Sequence, residues 1–159
     1  KNSINDCFQV VVHQSQRHAA KEDKGFIVSI QNHFLGFTRI GHYSAPAVWV
    51  GKVVSVRMTA DRLRIVADGD IIAEHARCFG RDKFIFNPWH YLSVLERKPG
   101  ALRHGAPFQD WDLPVSIQVV RDRLLKQPQG DKAFVEVLLM AKEAGLEAME
   151  TACERGHRA

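Results

Sequence analysis

The chain has 159 residues, 45% of them apolar, and carries 22 Lys and Arg against 18 Asp and Glu for a formal net charge of +4. That length and apolar share suit one ordinary domain or two small ones with a packed core. No apolar run nears the ~18 residues a membrane helix needs, and the start lacks the charged-then-apolar pattern of a secretory signal. A soluble protein of the cytoplasm or nucleoid, with no membrane partner, is therefore expected. Cys7, Cys78 and Cys153 are odd in number, far apart and without zinc-site spacing, so they read as reduced thiols. A start at Lys1 rather than Met reads as the mark of a piece of a longer protein.

Residues 1–25 open with an apolar strand-like run, Phe8 to Val12, and continue into a polar stretch from His13 to Lys24 without periodicity; this segment is expected to be poorly ordered or atypical. From Phe26 onward short strands follow. Phe26-Ile27-Val28, Phe37 to Ile40, Tyr43 to Pro46 and Val48-Trp49-Val50 are separated by Gly36 and by Gly41-His42. Lys52 to Thr59 alternates Val54, Val56 and Met58 with Ser55 and Arg57, the period of a half-buried strand. After a turn at Ala60-Asp61, Leu63 to Ala67 repeats the alternation. Asp68-Gly69 is a two-residue hairpin signal, because a type I′ turn needs positive φ, and Asp70 to Ala76 is its return strand. Many short antiparallel strands in so short a stretch predict a small β-barrel over residues 26–80.

The period then becomes helical, giving a helical region over 81–159 and an α+β fold overall. Asn87-Pro88 reads as an N-cap with proline at the first helical position, and Trp89, Leu92, Val94 and Leu95 supply a buried side as far as Pro99. Asp112-Leu113-Pro114 opens a second helix with Ile117, Val120 and Leu124 at three-and-four spacing. Asp131 is placed to cap a third, with Phe134, Val137, Leu138 and Ala141 on its apolar face and Gly145 at the C′ position. A last helix covers Leu146 to Cys153.

Charge is uneven along this layout. Residues 77 to 104 hold six Lys or Arg (Arg77, Arg81, Lys83, Arg97, Lys98, Arg103) against two acids, an excess equal to that of the whole chain. Phe79, Phe84, Phe86, Trp89 and Tyr91 are interleaved with them. Concentrated cations with aromatic residues between them are the footprint of a nucleic-acid surface; a solvated face over a core is the competing reading. Arg57, Arg62 and Arg64, on the outward face of the strands, are weaker candidates. Trp89, His90 or Tyr91 could stack on an exposed base, although Trp89 in the first turn of an amphipathic helix is better explained by core packing. No catalytic triad, metal set or cofactor site is nominated, because the acids fall in turns, at helix starts or on exposed helical positions. A hydrolase built on His90 with Glu96 or Asp82 lacks any motif that joins a nucleophile to a base.

Several of these segments together resemble one family. Tyr43-Ser44-Ala45-Pro46, Val50-Gly51-Lys52, the hairpin at Asp68-Gly69, Trp89-His90-Tyr91-Leu92, Leu95 through Arg103, Pro107-Phe108, Trp111-Asp112-Leu113-Pro114, Phe134 to Leu139 and Gly145 to Glu150 are similar, in order, to the C-terminal region of insertion-sequence transposases of the IstA type. These are related to the Mu transposase and the retroviral integrases. The resemblance implies a longer enzyme with N-terminal DNA-binding domains and a ribonuclease-H-like core, in which an Asp-Asp-Glu triad holds divalent metal, Mg by expectation. It also implies DNA as partner, homo-oligomerisation in a transpososome and an AAA+ helper ATPase. The barrel and tail alone are then expected to bind DNA without catalysing its cleavage. A stand-alone barrel that binds protein or RNA is the alternative.

Overall fold

The computed structural model describes residues 6–11, 13–14, 26–34, 37–80 and 83–158, with side chains within 41–80 and 83–156. The chain divides into two compact units, 1–91 and 92–159. The class is α+β, with the strands in the first unit and the α-helices in the second. Most of the polar stretch from His13 to Lys24 lies outside the described residues.

The first unit contains β1 (Asp6–Val11), β2 (His13–Gln14), β3 (Phe26–Phe34), β4 (Phe37–Ser44), β5 (Val53–Met58), β6 (Arg62–Ala67), β7 (Asp70–Ala76) and β8 (Lys83–Ile85). These make two four-stranded sheets, in the orders β1-β5-β6-β7 and β2-β3-β4-β8. The expected closed barrel is therefore not what forms. The reason lies between β4 and β5. Pro46 has no N–H to donate to a ladder, and Val48-Trp49-Val50, expected as a strand, instead lies in a 3-10 turn over Ala47–Trp49. Trp49 N–H donates to the Pro46 carbonyl at 3.0 Å and Gly51 takes φ +77°, so the chain leaves one sheet before entering the other. Gly41-His42, expected as a break, is continuous strand, because the missing Cβ at Gly41 leaves room for the Tyr43 ring, which a methyl there would meet at 2.8 Å.

β5, β6 and β7 form an antiparallel meander. Val54, Val56, Met58, Leu63, Ile65 and Ala73 face inward and join Tyr43 and Ala45 in one core. Asp68 and Gly69 take φ 50° and 92°, the positive values the hairpin signal required. β8 pairs parallel with β4, Lys83 opposite Gly41 and Ile85 opposite Tyr43. Together with a 3-10 turn over Pro88–Tyr91, this strand carries the first unit past residue 80.

The second unit contains α1 (Leu92–Arg97), α2 (Ala101–His104), α3 (Ala106–Gln109), α4 (Val115–Leu124), α5 (Gly130–Ala144) and α6 (Leu146–Arg158). Asn87 Oδ1 accepts the Trp89 N–H at 3.1 Å, so the expected cap forms, but over a 3-10 turn that precedes α1. Leu92, Leu95, Leu102, Phe108, Trp111, Leu113, Ile117, Phe134, Val135, Leu138 and Ala141 are buried. Val135 rather than Val137 completes the inward stripe of α5. Asp131 does not cap that helix; Gln129 occupies the N-cap position in the left-handed region at φ 59°. Gly145 ends it with φ 91°, as the C′ reading requires. Among the described residues no helix is long and apolar enough to cross a membrane.

Candidate nucleic-acid interface

In the strand unit, the period-two alternation that buries Val54, Val56 and Met58 turns Arg57 outward, and the same rule on β6 turns out Arg62 and Arg64. The register sets Arg57 against Arg64 and Arg64 against Glu74. Glu74 therefore answers two of the three cations. It accepts from Arg64 Nε at 2.6 Å and from Arg62 Nη1, and Arg62 Nε lies 3.7 Å from Asp61. The Arg64 and then the Arg62 hydrogen bonds hold the Glu74 carboxyl below the ordinary carboxylate range. Arg57 is exposed and engages no acid among the described residues. Arg57 lies directly opposite Arg64 in the register, where like charges repel, and Glu74 offsets the Arg64 charge.

The six cations of the 77–104 cluster differ in what they are doing. Arg77 folds back onto its own unit: Nη1 donates to the Thr59 carbonyl at 2.8 Å and the guanidinium lies 4.9 Å over the Phe79 ring. Lys83 is exposed on β8. Arg81 lies outside the described residues. In the helical unit, Arg97 and Lys98 are exposed at the end of α1, and Arg97 Nε donates to the Ser93 carbonyl of its own helix at 3.2 Å. Arg103 is committed internally. Its Nε pairs with Asp131 at 2.7 Å and its Nη2 donates to the Leu125 carbonyl at 2.8 Å, tying α2 to both ends of the α4–α5 connection. Arg57, Lys83, Arg97 and Lys98 are thus the named cations that no acid among the described residues engages, two in each unit. The sequence reading also passed over Lys52, whose Nζ sits 4.6 Å over Trp49; the signal was an aromatic three residues upstream across Gly51.

The aromatic residues proposed for stacking are differently placed. Tyr91 is 3% exposed and so unable to reach a base. His90 belongs to a buried polar cluster that the sequence did not reveal. Ser44, fully buried, accepts the Asn87 N–H at 2.7 Å and sits 2.9 Å from His90 Nδ1. His75 Nε2 is 2.7 Å from the Ser44 carbonyl; a carbonyl only accepts, so Nε2 carries the proton. The His75 and His90 rings meet edge to face at 5.6 Å. Buried in this way, Ser44 is a structural hydrogen bonder rather than a nucleophile. Asp82 lies outside the described residues, and Glu96 belongs to the second unit.

Burial, and then the neighbouring His75, push the His90 imidazole down to about 4; burial also lowers His75. Both rings are therefore neutral in the folded chain. On acidification the unfolded chain takes up these protons first, near the ordinary histidine value of ~6.5. Stability is expected to be full above that value and to fall as pH drops from ~6.5 toward the folded value near 4. Allowing for partial exposure of His90, the loss is ~2 kcal/mol. Urea unfolding between neutral pH and the folded value checks this, and His90→Asn should remove much of the slope. Equal stability across that window contradicts the reading.

The metal chemistry implied by the resemblance can be tested against the donor set. Among the described residues no three His, Cys, Asp or Glu converge as a potential metal site.

Comparison with known proteins agrees with the resemblance. Residues 39–87, from within β4 to Asn87, match the family described as Mu transposase, C-terminal domain. Over 166 residues the chain is 36% identical to a transposase for insertion sequences IS1326/IS1353 from Pseudomonas aeruginosa, covering 90% of this chain and 32% of that protein. The same values hold for a transposase of that description from Shigella flexneri. A transposase from Aminobacter aminovorans is 38% identical over 123 residues, 72% of this chain and 24% of that protein. The chain thus spans a third or less of the length of the curated relatives it matches. No solved structure matches it. The colinear motifs, the matched domain and these relatives together place the chain in the family of insertion-sequence transposases, as a C-terminal region carrying the Mu transposase C-terminal domain.

Proposed function

We propose that this chain is the noncatalytic DNA-binding part of a transposase, holding transposon-end or target DNA while metal-dependent chemistry, with Mg as the expected ion, is performed by a catalytic core elsewhere in the parent protein. The observation that carries the proposal is the set of exposed cations, Arg57, Lys83, Arg97 and Lys98, that no acid among the described residues engages. Such side chains neutralise phosphates and release condensed counterions. They fix position on the duplex more than they read its sequence. Arg62, Arg64, Arg77 and Arg103 have internal partners and serve mainly to hold the fold, and Arg81 joins the set as a sequence-based candidate. In the assembled transpososome the helical unit is the surface proposed for a second copy of the chain and for an AAA+ helper ATPase. A nucleoid-associated place in the bacterial cytoplasm follows from a DNA substrate.

The test is fluorescence anisotropy with a labelled DNA duplex at low salt. Arg57→Ala and Lys98→Ala should each weaken binding and each reduce the salt slope by about 1. Absence of duplex binding at about 50 mM salt, or binding that ignores both substitutions, contradicts the proposal. Salt-insensitive capture of an RNA or a peptide would instead favour the stand-alone module.

A further inference from the structure

We propose that Arg57, Arg64 and Arg62 form one phosphate-binding row across the outer face of β5 and β6, and that Glu74 limits its grip on DNA by standing in for phosphate at two of the three. The proposal rests on the DNA-binding reading above, which gave only Arg57 of this face to the ligand, and goes further by naming a residue that sets affinity. The row follows from strand alternation. Val56 and Met58 are buried on either side of Arg57, and Leu63 and Ile65 on either side of Arg64, so the arginines share the opposite face. Arg57 lies opposite Arg64, and Arg64 opposite Glu74. Neighbouring strands are ~4.8 Å apart, which puts Glu74 on β7 about 10 Å across the sheet from Arg57. That is about one Debye length at ~0.1 M salt, so a phosphate held by Arg57 feels the Glu74 carboxylate.

One carboxylate is divided between two guanidiniums. Oε2 accepts from Arg64 Nε at 2.6 Å and Oε1 from Arg62 Nη1. A guanidinium carries five N–H donors, and among the described residues each of these two spends a single hydrogen bond on Glu74. The Arg62 and Arg64 side chains keep 57% and 45% of their surface open to solvent. Two forks are thus held side by side with donors to spare for a second anion. Exposed ion pairs of this kind add little to stability, so the fold loses little when Glu74 lets go, whereas each phosphate taken in its place releases condensed counterions.

The experiment is a salt titration of the whole chain on a labelled duplex, comparing wild type with Glu74→Gln, which keeps the side-chain shape and removes the charge. With both arginines released to phosphate, the slope of log affinity against log salt should steepen by about 1.8, at roughly 0.9 per contact. The advantage of the variant over wild type should then shrink roughly tenfold between about 50 and about 200 mM salt. Adding Arg64→Ala to Glu74→Gln should take back about 0.9 of that slope. Asp70→Asn controls for charge alone: Asp70 lies on the same strand and joins no ion pair among the described residues, so its loss should leave the wild-type slope. Glu74 and Asp70 are both exposed, and circular dichroism checks that each variant folds. A Glu74→Gln slope equal to that of wild type, matched by Asp70→Asn, or not reduced by Arg64→Ala overturns the phosphate row while the DNA-binding reading stands. Failure of wild type and Glu74→Gln alike to bind the duplex overturns both.

Discussion

Replacing Gly130 with alanine is expected to destabilise the helical unit by about 3 kcal/mol or more, at the upper end of what overpacking costs. A Cβ at Gly130 would collide with the Leu124 carbonyl oxygen and lie 2.5 Å from its carbon. Both are backbone atoms at the end of α4, so no rotamer change relieves the clash and one helix must move. The helix that begins at Gly130 carries Phe134 and Leu138, both fully buried, and displacing it opens the core it fills. Gly100 is the matched control. It has φ −61° and nothing within 4 Å of an added Cβ, so Gly100→Ala should fall within about 0.5 kcal/mol of wild type or stabilise slightly. Urea unfolding followed by helical ellipticity measures both. A Gly130→Ala variant as stable as Gly100→Ala would show that the close approach of α4 to α5 is not required.

That glycine illustrates what the sequence shows and what it hides. Features set by neighbours along the chain were legible. Asp68-Gly69 announces its turn because adjacent positive φ angles are demanded there, Lys52 to Thr59 announces a half-buried strand by alternation, and Asn87 and Gly145 mark their helix ends by capping chemistry. Features set by residues far apart were not. β8 is only three residues long, and its pairing with β4 joins segments about forty residues apart. The same limit hid the Ser44, His75 and His90 cluster, assembled from three separate segments. Pro46 and Gly51 were visible, but their joint effect, a 3-10 turn that moves the chain between sheets, outweighed the β propensity of Val48-Trp49-Val50.

The candidate interface divides along the same line. A charge count treats every Arg alike, and it located the basic stretch. It could not distinguish Arg103, whose partner Asp131 is 28 residues away, from Lys98, which is exposed. Glu74 likewise occupies Arg62 and Arg64 across the sheet, while no acid among the described residues engages Arg57. For the aromatic residues the sequence drew attention to Trp89, His90 and Tyr91; strand pairing instead aligned Phe84 with His42.

A steep loss of DNA affinity with salt is the second large effect expected. If Arg57, Lys83, Arg97 and Lys98 each neutralise one phosphate, the slope of log affinity against log salt should be near −3.6 for a duplex, at roughly −0.9 per phosphate. Raising salt from about 50 to about 200 mM then weakens binding roughly 100-fold. Acid pairs that hold the fold, such as Arg103 with Asp131, contribute nothing to this slope, because no counterions are released from phosphate on their account. A salt titration of the whole chain on a labelled duplex therefore tests the central claim most directly. A slope of about −3 to −4 is the predicted result; an affinity that stays flat across that range contradicts the assignment of these side chains to DNA.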